Sequence, residues 1–197
     1  MSLAKQAKIL SKAQQEAVLA SLASTRYPAR DRVIFLLSVR AGLRAKEIAA
    51  LKWEMITDAE GELADVLALT NEAAKGRRGG RAIPIAKDLK AALIAWKSEA
   101  DGDFRKSPYV VTSERGISTS SYAIVNKFAG WYRALGFTGA SSHSGRRTAI
   151  TNWARRISTV GGSLRDVQIL AGHSALSTTQ RYIEADAGAM RRLVDIP

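Results

Sequence analysis

No cysteine occurs anywhere in the 197 residues, which removes disulfides and thiolate metal ligands from consideration. Histidine is nearly as scarce, with two in the chain, and no carboxylates cluster at metal-ligand spacing. Metal-dependent hydrolysis is therefore the poorest fit among hydrolytic chemistries. No apolar run approaches the roughly 20 residues that a membrane-spanning helix needs. The stretch from Met1 to Leu10 lacks the apolar core and small-residue cleavage site of a secretory signal. These absences lead us to expect a cytoplasmic protein. No internal repeat, low-complexity tract or linker divides the sequence, so residues 1–197 are expected to form a single domain.

What is present is positive charge. Thirty Lys and Arg against 18 Asp and Glu give a net charge of +12 and a pI near 10.3, a balance suited to a polyanionic partner. Apolar residues make up 46% and charged residues 24%, which is ordinary for a globular protein. The cations are not evenly spread. Residues 75–81 contain Lys75, Arg77, Arg78 and Arg81 with no acid, and residues 141–197 contain eight Arg and no Lys. Arginine used alone favours planar, two-pronged contact with phosphate.

Periodicity predicts a mostly helical α+β domain with one small sheet. Ser11 and Gln14 form a capping-box pattern ahead of Val18 and Leu22, which sit at helical spacing. A second helix starts at Pro28, runs through the apolar stretch Val33 to Val39 and ends at Gly42; a third covers about Ala45 to Leu51. Glu62 to Thr70 and Arg81 to Ala86 read as strands of a hairpin with a cationic loop, and Tyr109 to Thr112 as a third strand. Helices follow from Asp88 to Glu99, after Ser120 or Ser121, from Ser144 to Arg156 and from Ser163 to Leu170, then a last polar turn over Thr178 to Ile183. The helix after Ser121 is expected to bury Tyr122, Val125, Phe128, Tyr132 and Leu135.

Four segments stand out: Ala41-Gly42-Leu43-Arg44-Ala45-Lys46-Glu47-Ile48; Lys75-Gly76 through Arg81-Ala82-Ile83-Pro84-Ile85; His143-Ser144-Gly145-Arg146-Arg147-Thr148; and Leu170-Ala171-Gly172-His173, followed nine residues later by Tyr182. Together they resemble the signatures of the tyrosine recombinases, the phage-integrase family, in the order that family uses. The resemblance implies that family's catalytic-domain fold, with a small three-stranded antiparallel sheet. It places Arg44 on a scissile phosphate with Glu47 as its buried support, and makes Lys75 a general acid. It implies Arg77, Arg78, Arg81 and Arg147 as DNA contacts, and a homotetramer on paired DNA sites from a monomer in free solution. The hairpin lies further from Arg44 than is typical, so an insertion around Asp58 to Glu62 or a longer first strand is expected. Members usually carry a helical core-binding domain ahead of the catalytic one; here the first helix begins about ten residues in, and that domain is expected to be absent.

Chemistry alone selects the same side chains. Phosphoryl transfer needs donors for the charge on the non-bridging oxygens, and Arg44, Arg146 and His173 can supply them without a metal or a cofactor. Rejoining DNA without ATP requires the bond energy to be kept in a covalent intermediate, for which Tyr182 is the nucleophile. Its phenol, with an ordinary pKa of about 10, must lose a proton, and neutral His143, at about 6.5, can accept it. The leaving 5′ oxygen needs a proton that a lysine near phosphate can give and an arginine cannot, which singles out Lys75. The expected function is site-specific DNA cleavage and rejoining through a 3′-phosphotyrosyl intermediate. Two alternatives stay open: DNA relaxation of the type IB topoisomerase kind, and a non-catalytic DNA-binding protein of the same fold.

Overall fold

The computed structural model describes residues 7–74, 80–103, 107–114 and 118–182. By the density of its internal contacts the chain divides into two compact units, residues 1–149 and 150–197.

The first unit opens with α1 (Lys12–Leu22), capped as its sequence predicts: Gln14 N donates to Ser11 Oγ at 3.2 Å and Ser11 N to Gln14 Oε1 at 3.0 Å. α2 (Pro28–Val39) starts on the proline, whose missing N–H costs nothing in a first turn. Val33 to Leu37 are completely buried, so α2 is a central rod that α1 and α4 (Lys87–Asp103) pack against. A helix buried all round explains why this run shows little helical alternation. The helix ends at Val39 with Arg40 as its cap rather than at Gly42 as expected, and Gly42, at φ 63°, then turns the chain, since only glycine takes the left-handed region without strain. The short α3 (Ala45–Ala50) follows and packs on α5 (Ser121–Ala134).

β1 (Val66–Leu69) and β2 (Arg81–Pro84) form an antiparallel pair in the register Leu67 with Ile83 and Leu69 with Arg81. Among the described residues this two-stranded sheet replaces the three strands expected. The segment expected as the third strand makes one isolated bridge, Tyr109 with Lys52, rather than joining the hairpin. Val110 and Val111 are consecutive and both buried, so the segment lies sunk between elements with no solvent face, and the Val110 carbonyl accepts from Trp96 Nε1 at 2.7 Å. The segment ahead of the hairpin, expected to hold an insertion or a longer first strand, is a tight turn: Thr57 bridges Leu63, Gly61 sits at φ 82°, and Glu62 N donates to Asp58 Oδ1 at 2.8 Å.

α5 is rotated from the expected face. It buries Ile124, Phe128, Trp131 and Tyr132, while Tyr122 is 73% exposed. Both faces satisfy the helical period, and the larger Trp131 with Ile124 wins the core. α6 (Ser144–Arg156) begins at the boundary expected.

The second unit begins within α6 at Ile150. It continues through a 3-10 turn (Ile157–Val160), α7 (Leu164–Ala171) and α8 (Leu176–Gln180). Its core is Ile150, Val167 and Ala171, against which Trp153, Ile157, Leu164 and Tyr182 pack. Among the described residues no helix is long and apolar enough to cross a membrane.

Candidate active site

In the first unit the site is built around a buried carboxylate. After the turn at Gly42, Arg44 takes an extended backbone conformation and opens α3. Glu47, one turn on, reaches back: its Oε2 accepts from Arg44 N at 2.9 Å and its Oε1 from Arg44 Nη1 at 2.8 Å. The other face of the carboxylate is taken by Arg81 from β2, which donates Nη1 to Oε1 at 3.1 Å and Nη2 to Oε2 at 3.0 Å. Glu47 is fully buried and the Arg81 side chain is 3% exposed, whereas the Arg44 side chain is 28% exposed. Burial works to raise the Glu47 pKa, but the hydrogen bond and charge of Arg81, then those of Arg44, outweigh it and hold the carboxyl below its ordinary range. One carboxylate between two guanidiniums leaves the trio positive, with Arg44 as its accessible member.

The start of α6 is tied to the same place. Arg146 is buried, and its Nη1 donates to the Gly42 carbonyl at 2.5 Å. The first-arginine turn and the second arginine are thereby fixed to each other. Gly145 makes this approach possible, because a Cβ there would lie 2.3 Å from Ser38 Oγ and 3.1 Å from Val39 Cγ1 of α2. His143 is exposed just ahead of the helix, and its carbonyl accepts from Arg147 N at 2.9 Å. Arg147 is half-buried and donates Nη1 to the Ala7 carbonyl at 3.0 Å. Thr148 Oγ1 accepts from Leu10 N at 2.8 Å and donates to the Ser144 carbonyl at 2.7 Å. The segment ahead of α1 is thus strapped to α6.

The second unit brings together His173 and Tyr182. Gly172, at φ 62°, caps α7, and His173 N donates back to the Gln168 carbonyl at 3.1 Å. This left-handed cap turns the His173 ring into the unit, where it is 8% exposed. Its Nδ1 lies 2.9 Å from the Oγ1 of fully buried Thr179, and Gln168 Nε2 donates to its carbonyl at 2.9 Å. The ring stacks on Tyr182 with centroids 5.3 Å apart and planes 26° from parallel. Tyr182 is held through its backbone as well: its N donates to the Thr179 carbonyl at 3.0 Å and its carbonyl accepts from Thr151 Oγ1 at 3.2 Å.

Lys75, Arg77 and Arg78 lie outside the described residues. The base of their loop is held by Gly80 N donating to Asn71 Oδ1 at 2.8 Å. Among the described residues no group of three or more His, Asp or Glu is placed to hold a metal ion. Sequence reasoning missed the inward placement of Arg81 and the supporting parts played by Thr148, Thr151, Gln168 and Thr179. For Arg81 the signal was present: it stands two residues before buried Ile83, and strand alternation puts both on one face. The others carry no local mark, since a threonine facing a histidine reads like any other polar residue.

Residues 8–188 match the family model described as the phage integrase family. Curated relatives include tyrosine recombinase XerC of Xanthomonas campestris pv. campestris, 29% identical over 168 residues that make up 84% of this chain and 48% of the relative. XerC of Bradyrhizobium diazoefficiens is 31% identical over 170 residues, 85% of this chain and 49% of the relative. The chain spans about half the length of these curated relatives. Among solved structures, XerA recombinase superposes with a TM-score of 0.75 at 20% identity, covering 96% of this chain and 66% of that one. XerH recombinase in a pre-cleavage complex with its difH substrate gives 0.73 at 20% identity, covering 100% and 56%. These likenesses show the same mostly helical α+β fold. With the family match running from ahead of α1 through Tyr182 and taking in all four signature segments, the chain belongs to the phage integrase family.

Proposed function

We propose that this chain is the catalytic part of a site-specific tyrosine recombinase, which cleaves and rejoins double-stranded DNA through a 3′-phosphotyrosyl intermediate on Tyr182. The observation that carries the reading is the pairing of Tyr182 with His173, a stacked ring pair fixed by Thr179 and Thr151, in a member of this family. In the proposed reaction the Tyr182 oxygen bonds to phosphorus and the bond to the 5′ oxygen breaks. The phenol proton passes to His143, and Lys75 gives a proton to the departing 5′ oxygen. Arg44, Arg146 and His173 hold the charge that builds on the non-bridging oxygens. Attack by a 5′-hydroxyl runs the steps backwards and frees Tyr182, so the strand is rejoined with no outside energy source. Glu47 supports Arg44, while Arg77, Arg78 and Arg147 belong to the DNA contacts. The two units serve as one catalytic domain. The free protein is a monomer that forms a tetramer on paired sites, in the cytoplasm and associated with DNA.

The test is covalent capture. The protein is incubated with a pool of nicked duplexes of random central sequence, so that cleavage releases a short strand and traps the adduct, and the modified residue is mapped. An adduct on Tyr182 that Tyr182→Phe does not form supports the reading. An adduct on another residue, or one retained by the Phe variant, overturns the nucleophile; binding with no adduct at all identifies a DNA-binding protein instead. Rejoining between two captured duplexes separates recombination from relaxation of a single duplex.

A further inference from the structure

We infer that Arg81 is a positioning residue that keeps Arg44 available to phosphate by occupying Glu47. This rests on the reading above, in which Arg44 grips the scissile phosphate. An ionised carboxylate offers about four acceptor sites on its two oxygens. In this structure four donors meet them: Arg44 N and Arg81 Nη2 on Oε2, and Arg44 Nη1 and Arg81 Nη1 on Oε1. The carboxylate is full. Arg81 takes the two-pronged place, so Arg44 is left with a single guanidinium contact, and among the described residues no other hydrogen bond holds its side chain. Its remaining N–H groups are therefore uncommitted on a side chain that is 28% exposed.

The alternative arrangement is close at hand. Arginine and carboxylate prefer the two-pronged geometry when nothing competes for it. Arg44 and Glu47 are three residues apart on one helical turn, and a buried carboxylate with one partner holds it strongly because the interior screens charge poorly. Without Arg81, Glu47 captures the Arg44 fork and turns it into the protein. Arg81 itself, with 3% of its side chain exposed, acts through Arg44 rather than on DNA.

The competition predicts an outcome that a scaffold role does not. Arg81→Met should lower the rate of adduct formation on the nicked duplex recovered by covalent capture by about 10²-fold, the scale of a misplaced reacting group. Adding Glu47→Gln to it should recover most of that loss, because the neutral amide releases Arg44. Nitrogen-detected NMR of arginine-labelled protein reads the same event without DNA: rotation about the Arg44 Nε–Cζ bond should be fast in the unsubstituted protein, slow in Arg81→Met, and fast again in the double variant. Should Arg81→Met not fold, Arg81→Lys with and without Glu47→Gln gives the same comparison, since a lysine fills one oxygen and not both. A double variant no better than the single one, or an Arg44 rotation indifferent to Arg81, overturns the inference. If the unsubstituted protein forms no adduct, the functional reading falls and the NMR comparison still decides the role of Arg81.

Discussion

Tyr182 is held by its ring face and its backbone, and both anchors survive loss of the phenolic oxygen. Tyr182→Phe keeps the stack on His173 and the Thr151 bond to the backbone carbonyl. Its melting temperature should stay within roughly 2 °C of the parent, less than a 1 kcal/mol change would produce, while covalent capture drops to background. A second expectation concerns Glu47. Its carboxyl is held below the ordinary range in the folded state, so its ionised form stabilises the fold above the unfolded pKa of about 4.3, and that contribution is lost as pH falls through the folded value. Glu47→Gln leaves Arg81 buried without its carboxylate, which should cost about 3–5 kcal/mol at neutral pH. Urea unfolding of both proteins from pH 7 down to pH 3 should show the gap narrowing below about pH 4.3; a gap constant across that range would mean that folding does not lower the Glu47 pKa. For Lys75, replacement by alanine should slow cleavage by about 10²–10⁴-fold. A bridging 5′ sulfur, whose thiol pKa is about 8.5, leaves without a donated proton and should restore most of that rate. Arg44→Ala should gain nothing from the sulfur, because its partner oxygens are non-bridging. Equal rescue of both would move the general acid elsewhere.

Helix ends and the contacts across them belong to the next scale. Gly145→Ala would press a methyl against Ser38 Oγ at 2.3 Å and Ser38 Cβ at 2.9 Å, forcing α6 off α2 at a cost of about 1–3 kcal/mol. Pairing it with Ser38→Gly removes both of those atoms and should return part of the stability in a urea titration; no return would place the strain elsewhere. The same helix shows what a sequence reveals. Its start at Ser144 and the Ser11–Gln14 cap are local events, decided within a few residues, and each was legible. The Arg146 bond to Gly42 spans 104 positions, the Leu10 bond to Thr148 spans 138, and the Arg81 fork on Glu47 spans 34. Nothing near either end of such a pair announces the other. The rotated face of α5 and the separation of the Tyr109 segment from the hairpin share a cause: two arrangements satisfy the local pattern, and tertiary packing chooses. The residues proposed to carry the chemistry stand out in the sequence because their types are few and their order informative; the supporting threonines and glutamine do not, because such residues are common, whereas the inward face of Arg81 is marked by its alternation with Ile83.

At the scale of the whole molecule, a net charge of +12 predicts that phosphate neutralisation dominates affinity for the proposed DNA substrate. Log affinity should fall steeply and linearly with log salt, measured by fluorescence anisotropy on a duplex, and a flat response would refute a phosphate-driven mode of binding. Gel filtration without DNA should show a monomer, with larger assemblies only when paired sites are supplied. The strap ahead of α1 has a mechanical meaning as well. Lys8 N donates to the Gly139 carbonyl, Arg147 grips the Ala7 carbonyl, and Leu10 N rests on Thr148. Gly139 and Thr148 flank the His143 and Arg146 segment, so tension applied to the chain ahead of Ala7 is carried into the root of α6 rather than spent in a loose tail. Those few bonds make a load path, along which a tug on the leading end is felt at buried Arg146.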